Sequence, residues 1–243
     1  MTPSAQILLA ARTDPAHRPA ALPTPPASTE QAYAIQHEIM AALGPIGGWK
    51  VGYNPATQIF TYAPIPAAAL FSSPAHIPQH ACPDRGVEAE IALLLAKDLP
   101  PRPYTQAELE AAIASAHPAI ELLQSRYLDG TEVDPLTNLA DSASNHGLVY
   151  GPAIPDWQSI DLAHETVRVL VDGIEKKRAT ANPAGSMLPL LAWLAQHGAA
   201  WAGGLKAGQF VTTGSWTGKD FLPANASVIM TFGHCGSVKA TYT

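Results

Sequence analysis

The sequence is poor in cysteine, in charge and in long apolar runs. Its two cysteines, Cys82 and Cys235, have neither a C-x-x-C nor a zinc-ligand spacing, so free thiols are expected instead of a disulfide framework. Charged residues make up 14% of the chain and the formal net charge is −6, which gives no electrostatic reason to bind nucleic acid or an anionic membrane. No apolar run approaches the roughly 20 residues that span a bilayer, and the first residues lack a basic segment followed by a long apolar one. We therefore expect a cytoplasmic protein without nucleic-acid or membrane partners.

Apolar residues, by contrast, are plentiful. They make up 47% of the 243 residues, which is enough for one sizeable core. We therefore predict a single domain over residues 1–243, with residues 1–45 as a helical N-terminal appendage packed on it. A linker rich in proline and alanine, residues 13–27, divides that appendage.

Helical periodicity is confined to a few segments. Four helices are predicted, over residues 1–12, 28–44, 105–117 and 183–196. The second and third begin with capping-box spacings, at Ser28 with Gln31 and at Thr105 with Glu108. Extended segments fill much of the remainder, namely residues 48–53, 87–96, 119–124, 147–151, 166–173, 209–216 and 227–233. Because turns and not regular crossover helices separate these strands, the pattern favours a β-rich α+β fold over a doubly wound α/β sheet.

The segment with the most chemical content is Gly86-Val-Glu-Ala-Glu-Ile at the start of an apolar strand. Residues two apart on a strand point to the same side, so Glu88 and Glu90 present two carboxylates side by side. Like charges near a core are costly unless a cation neutralises them, and carboxylate oxygens suit Mg²⁺ or Mn²⁺. The alternative is an E-x-E pair on a solvated strand face, which needs no metal.

A third carboxylate, Glu121, lies between apolar residues in Pro118-Ala-Ile-Glu-Leu-Leu. The apolar flanks favour a partly buried position, and a structural salt bridge to Arg126 is the simpler alternative. The sequence has no G-x-S-x-G motif, no Ser-His-Asp spacing and no glycine-rich phosphate loop. Three carboxylates on β-rich segments therefore indicate metal-assisted chemistry on an oxygen-rich substrate.

At these residues the chain resembles the hydratase/decarboxylase branch of the fumarylacetoacetate hydrolase superfamily. The resemblance runs through GWKVGYNP at 48–55, GVEAEIALLLAKDLP at 86–100, PAIELLQSRY at 118–127, LADSASNHGLVYG at 139–151, LLAWLAQHG at 190–198 and LKAGQFVTTGSWTG at 205–218. It implies a β-rich mixed roll with peripheral helices, forming homo-oligomers, and a catalytic role for the whole domain. It also implies that Glu88, Glu90 and Glu121 bind Mg²⁺ or Mn²⁺, and a glutamate at the third position is typical of this branch.

The same resemblance implies roles for residues outside the carboxylate set. Lys50 would point inward as a catalytic residue that contacts the substrate or donates a proton, whereas the alternative is a solvated strand lysine. Val51 and Ser144 would add substrate contacts, and Ser144 and Asp141, in Ala-Asp-Ser-Ala-Ser, would join Lys50 as catalytic residues. Turn capping is the alternative for Asp141 and Ser144.

Two departures from the family pattern affect specificity. The stretch Tyr62–Phe71 is aliphatic where the hydratases commonly carry an acidic residue, so it suits an apolar substrate tail. His146 and Asn145 follow Ser144 where small residues are expected. His146 is an acid/base candidate, although a surface-loop histidine is the simpler interpretation.

The resemblance implies a metal-dependent lyase that acts on a small 2-oxo acid. The main expectation is hydration of a 2-hydroxy-2,4-dienoate of the 2-keto-4-pentenoate type to a 4-hydroxy-2-oxo acid. The alternatives are a 2-oxo-3-hexenedioate (4-oxalocrotonate) decarboxylase and an inactive metal-binding subunit that acts in complex with a related hydratase or decarboxylase.

Overall fold

The computed structural model describes residues 1–129, 131 and 133–243. Five α-helices are α1 (Pro3–Thr13), α2 (Thr29–Leu43), α3 (Gln106–Glu110), α4 (Pro135–Ala140) and α5 (Met187–Trp193). The strands are β1 (Ile46–Asn54), β2 (Ile59–Pro66), β3 (Leu70–Ser72), β4 (Ala75–Ile77), β5 (Gly86–Leu95), β6 (Ile113–Leu123), β7 (Asn145–Tyr150), β8 (Thr166–Val171), β9 (Ile174–Thr180), β10 (Phe210–Thr212), β11 (Asp220–Phe221), β12 (Ser227–Phe232) and β13 (Gly236–Tyr242). Across the described residues no helix is both long and apolar enough to cross a membrane.

An eight-stranded mixed sheet forms the frame of the molecule. Its order is β2-β1-β10-β5-β6-β7-β3, and β11 pairs with β5. β2 and β3 lie at opposite edges of this order, yet only the short turn Ala67–Ala69 separates them along the chain. The sheet therefore curls, so that β3 can pair with β7 close to the end of β2. Glycines permit the close approach: a Cβ on Gly47 would lie 2.5 Å from the Ala67 Cα, and one on Gly147 would lie 2.5 Å from the Ala69 carbonyl oxygen. A small apolar cluster fills the concave side, formed by Ile65, Ala92, Ala119, Leu148 and Phe210.

A second, five-stranded sheet, with the order β4-β13-β12-β8-β9, covers the convex side. The alternation of side chains along each strand gives both sheets one apolar face. Trp49, Val51, Ile91 and Ile120 of the first sheet belong to the same buried core as Val169, Met230 and Ala240 of the second. Burying this surface is the main favourable contribution to folding. Cys82 and Cys235 are both buried free thiols, as predicted.

The first two helices pack against the first sheet and α4. Leu8 of α1 and Ile35 and Ile39 of α2 share a separate buried cluster with Tyr127 and Leu139. Polar contacts join the same parts, since the buried Gln36 side chain donates to the Tyr62 and Leu139 carbonyls at 3.3 and 3.0 Å. These contacts join residues 1–45 to the sheet. The assignment of residues 1–243 to a single catalytic domain stays a prediction.

The capping signals locate two helix starts correctly. The Ser28 hydroxyl accepts from the Gln31 amide at 3.3 Å, and Thr105 and Glu108 form a complete capping box. The predicted extent of the second of these helices is wrong, because α3 ends at Glu110 and β6 begins at Ile113. β6 pairs along nearly its whole length with β5, and these interstrand hydrogen bonds outweigh the local helical pattern.

The other differences also follow from tertiary contacts. The helix predicted over 183–196 begins at Met187 and ends in a π-helical turn over Leu194–Gly198. The sequence patterns did not predict α4 or the strands β2, β3, β4, β9, β11 and β13. β9 carries Glu175, Lys176, Lys177 and Arg178 on a sheet edge, where charged side chains discourage pairing with another chain. The β-rich α+β fold class is confirmed.

Candidate active site

Three glutamates meet on the concave face of the first sheet. Glu88 and Glu90 lie two residues apart on β5, and Glu88 is directly opposite Glu121 on the antiparallel β6. One carboxylate oxygen from each of the three lies within 4.8 Å of the others. The alternate residues Val87, Ala89 and Ile91 belong to the main core on the other face. The strand period therefore sorts carboxylates to one side and apolar side chains to the other.

The three carboxylates are buried, with exposed fractions of 9% for Glu88, 2% for Glu90 and 0% for Glu121. Burial, followed by repulsion from Glu121 and Glu88, holds the pKa of Glu90 well above its ordinary value. Burial and repulsion from Glu121 also raise the pKa of Glu88. Two charges about 5 Å apart repel by about 3 kcal/mol at an effective dielectric constant of about 20. The cluster therefore favours a cation among its oxygens.

Lys50 supplies one positive charge to this cluster. Its Nζ lies 2.7 Å from Glu121 Oε1, and its side chain is 16% exposed, so it is not a solvated surface lysine. Burial by itself would lower the pKa of Lys50, but the carboxylates, Glu121 foremost, raise it overall. One ammonium faces three carboxyl groups, so with all three ionised the cluster carries more negative than positive charge.

Several polar atoms around the cluster are left without partners. Glu90 Oε2, Glu121 Oε2 and the Thr212 hydroxyl are buried and find no hydrogen-bond partner among the described residues. Buried polar atoms are nearly always satisfied, so the positions of these oxygens fit a site that binds a polar or charged ligand. Hard oxygen donors with excess negative charge fit Mg²⁺ or Mn²⁺, and Glu88, Glu90 and Glu121 are the residues that would hold it.

The predicted catalytic turn, residues 141–144, immediately precedes Asn145, which contacts Glu121, and its own side chains bond elsewhere. The Ser144 hydroxyl donates to Asn138 Oδ1 at 3.2 Å. Asp141 Oδ2 accepts from the Arg126 amide at 3.0 Å, and Asp141 Oδ1 lies 3.4 Å from the Arg126 guanidinium. Burial raises the pKa of Asp141 to about 6 although Arg126 favours the charged form. The suggested Glu121–Arg126 salt bridge is therefore wrong, since Arg126 pairs with Asp141 and Glu121 with Lys50.

Residues that sequence reasoning missed complete the cluster. Asn145, the first residue of β7, donates its side-chain Nδ2–H to Glu121 Oε1 at 2.8 Å. Thr212 is paired in register with Lys50, and Ser215 is one of the groups that act against the rise in the pKa of Glu88. The only sequence signal for Asn145 was its place directly after Ser144, where the family pattern has a small residue. Nothing in the local sequence indicated Thr212 or Ser215.

The side chains of Val51 and His146 lie in environments other than those expected from the sequence. The Val51 side chain lies in the main core, so only its backbone can serve the predicted substrate contact. His146 lies on β7 and not in a surface loop, so that interpretation is wrong, and burial holds its pKa well below the ordinary value. In the aliphatic stretch, Ala63 pairs directly with Lys50 and is fully buried.

Comparisons with known proteins agree with this geometry. Residues 48–242 match the family model described as "Fumarylacetoacetate (FAA) hydrolase C-terminal". The chain therefore belongs to the fumarylacetoacetate hydrolase family, as the motifs predicted.

Within that family, the chain is similar to enzymes named as hydratases. It is 33% identical over 224 residues to a 2-keto-4-pentenoate hydratase of Burkholderia vietnamiensis (strain G4 / LMG 22486), which covers 87% of this chain and 85% of that protein. It is 27% identical over 267 residues to a 2-oxo-hept-4-ene-1,7-dioate hydratase of Escherichia coli, covering 97% of each.

A solved structure shares the fold. The 4-oxalocrotonate decarboxylase from Pseudomonas putida G7, complexed with magnesium and adipate, superposes with a TM-score of 0.78 at 23% identity, covering 89% of this chain and 86% of that one. Together with the family match, this likeness confirms the predicted fold type.

Proposed function

We propose that this protein is a divalent-metal-dependent hydro-lyase that adds water to a 2-hydroxy-2,4-dienoate of the 2-keto-4-pentenoate type, giving a 4-hydroxy-2-oxo acid. The observation that carries the proposal is the buried cluster of Glu88, Glu90 and Glu121 with Lys50 paired to it. The 33% identity to a hydratase over 87% of the chain supports the choice of reaction.

Mg²⁺ or Mn²⁺ is the proposed cofactor, held by the three glutamates. When bound, the ion supplies positive charge to the carboxylate and 2-oxygen of a 2-oxo acid, which lowers the free energy of negative charge developing on that oxygen. The unpartnered oxygens of Glu90 and Glu121 support this proposal.

The protein's own groups then account for the remaining steps. The Lys50 ammonium stabilises charge on the substrate oxygen as the dienol becomes the ketone, and it is held in the site by Glu121. The Ser144 hydroxyl donates to Asn138, and its oxygen accepts from the substrate or from the attacking water and so orients it. Ala63, opposite Lys50, leaves that side of the site apolar and favours a substrate with one carboxylate.

Decarboxylation of 2-oxo-3-hexenedioate is the second candidate, because the same electron sink accepts the electrons released when CO₂ leaves. The superposition on a 4-oxalocrotonate decarboxylase favours it. The lack of a cationic side chain between Tyr62 and Phe71 weighs against a second substrate carboxylate there. A third candidate is an inactive metal-binding subunit within a complex, and we expect the active protein to be a homo-oligomer.

A substrate panel separates the three candidates. The purified chain alone, with Mg²⁺, is given 2-hydroxypenta-2,4-dienoate and 2-oxo-3-hexenedioate, and both dienol absorbance and CO₂ release are followed. We expect dienol loss without CO₂, abolished by EDTA and restored by Mg²⁺ or Mn²⁺ better than by Ca²⁺, since a small hard ion suits the site. CO₂ release from the dioate identifies the decarboxylase. Metal binding without turnover identifies the inactive subunit, and full activity in EDTA rejects the metal site.

A further inference from the structure

Asn145 makes the only described side-chain amide contact to the carboxylate cluster, and the mechanism above does not use it. We propose that Asn145 is a positioning residue, which occupies one oxygen of Glu121 so that the other oxygen is left for the cation. This inference rests on the proposed metal-dependent function.

The two oxygens of Glu121 have different environments. Oε1 accepts from Lys50 Nζ at 2.7 Å and from Asn145 Nδ2 at 2.8 Å, whereas Oε2 is buried and has no partner among the described residues. Two donors on one oxygen fix the rotation of the carboxylate group. Oε1 of Glu121 is therefore occupied by two hydrogen bonds, and Oε2 is the oxygen left to bind the cation.

An amide is well suited to this task. Asn145 donates a hydrogen bond without adding charge, so it orients Glu121 and leaves the negative charge of the cluster for the cation. A lysine or arginine at the same place would neutralise the carboxylate, and an aspartate would add a further repulsive charge. The reverse orientation of the amide would place Asn145 Oδ1 against Glu121 Oε1, two acceptors without a proton between them.

The backbone of Asn145 is itself held firmly. Its carbonyl oxygen accepts from the Arg12 guanidinium at 2.9 Å and also from the buried Arg126. Arg12 belongs to α1, so the N-terminal helix reaches the strand that carries the amide. Two guanidinium donors on one carbonyl restrict the backbone position of Asn145 at the start of β7. They therefore also restrict the position from which its amide side chain extends.

The turn before Asn145 is strained. Ser142, Ala143 and Ser144 have φ values of 54°, 51° and 65°, in the left-handed region that non-glycine residues avoid. Each such residue costs on the order of 1 kcal/mol, and such strain persists where the surrounding structure enforces it. After this turn the β6–β7 register shifts so that Asn145 pairs with Leu123. The strained turn and the shift together set the direction of the amide.

Titration of the metal-free protein with MnCl₂, followed by calorimetry, tests the proposal. Asn145→Ala removes the donor, and Asn145→Leu removes it while keeping a similar side-chain size. We expect both variants to bind Mn²⁺ about 10–100-fold more weakly than wild type, the usual loss when a group that orients a metal ligand is removed.

Gln36→Ala is the matched control. Like Asn145, Gln36 has a buried side-chain amide whose NH₂ donates hydrogen bonds and whose oxygen has no partner among the described residues. Its NH₂ group donates to the backbone carbonyls of Tyr62 and Leu139 and not to a carboxylate. We expect it to lower the melting temperature in EDTA as Asn145→Ala does, with unchanged Mn²⁺ affinity.

The outcomes are distinct. Wild type that binds Mn²⁺ no better than Glu90→Gln contradicts the proposed metal site itself. Wild type that binds Mn²⁺, with either folded Asn145 variant within twofold of its affinity, overturns the positioning role alone. Equal loss of affinity in Gln36→Ala would also overturn it, because the effect would then be one of general stability.

Discussion

Lys50 Nζ and Glu121 Oε1 are 2.7 Å apart, although β1 and β6 are separated in the sheet by β10 and β5. The two side chains meet because the sheet curls and both lie on its concave face. An ion pair between non-adjacent strands places the ammonium among the carboxylates instead of in solvent. The pair thus holds together the two kinds of charge that the proposed reaction needs.

Lys50→Met is expected to lower turnover by on the order of 100-fold or more and to raise KM less. The ammonium acts on charge that grows during the reaction, so its loss removes stabilisation of the transition state and not of the ground state. Steady-state kinetics on the dienoate measure both constants. Lys206→Met, at a half-exposed lysine paired with Asp98, should leave them unchanged. A raised KM with unchanged turnover would make Lys50 a substrate-binding residue only.

Glu90→Gln and Glu121→Gln should each weaken Mg²⁺ binding by more than about 100-fold and remove activity with it. A direct ligand contributes more than a residue that only orients one, and the amide oxygen lacks the negative charge. Calorimetric titration gives the affinity, and circular dichroism checks the fold. Glu165→Gln changes a buried carboxylate outside the cluster, bonded to His234, and is expected to bind Mg²⁺ normally. Either cluster variant with wild-type affinity would remove that residue from the ligand set.

The contribution of Glu90 to the stability of the metal-free protein should fall as pH rises above about 4.5, the ordinary pKa of a glutamate. Because the folded-state pKa of Glu90 is raised, the folded protein keeps a proton that the unfolded chain releases, so this contribution decreases until pH reaches the raised value. The lowered pKa values of His37 and His146 act in the opposite direction, so the Glu90 contribution is measured as a difference between wild type and a variant. Urea unfolding in EDTA at about pH 5 and about pH 7 measures the change. Relative to wild type, Glu90→Gln should therefore be more stable at about pH 7 than at about pH 5, and an equal change in both proteins would contradict the assignment.

Asp141→Ala is expected to destabilise the fold by about 3–5 kcal/mol near neutral pH, because it leaves the buried Arg126 guanidinium without its carboxylate. Urea unfolding at saturating Mg²⁺ measures the loss. Asp129→Ala, which removes an exposed partner of Arg18, should cost less than about 1 kcal/mol. A fully stable but inactive Asp141→Ala would instead favour a direct catalytic role for this residue.

Much of the site could be predicted from the sequence. The spacing of Glu88 and Glu90 predicted a shared strand face, the apolar neighbours of Glu121 favoured a partly buried position, and the ordered motifs indicated this family and fold. The helix starts at Ser28 and Thr105 were also predictable, because their capping hydrogen bonds join residues three apart. Each of these features is set by local chemistry or by an ordered set of motifs along the chain.

Other features depended on contacts between distant residues. The residues after Glu110 read as helix but form β6, because pairing with β5 supplies more hydrogen bonds than the local pattern predicts. Arg126 could pair with Glu121 in sequence terms, yet the turn after α4 places Asp141 against it. Asn145 and Thr212 enter the site only because β7 pairs with β6 and β10 pairs with β1.

The sequence by itself therefore determined the charged residues, their strand positions and the fold class, since side-chain period and composition are properties of the chain alone. The tertiary structure decided which charge meets which, and so which oxygens stay free for a cation. The physical reason is that an ion pair or hydrogen bond requires atoms within about 3 Å, a distance that sequence separation does not fix.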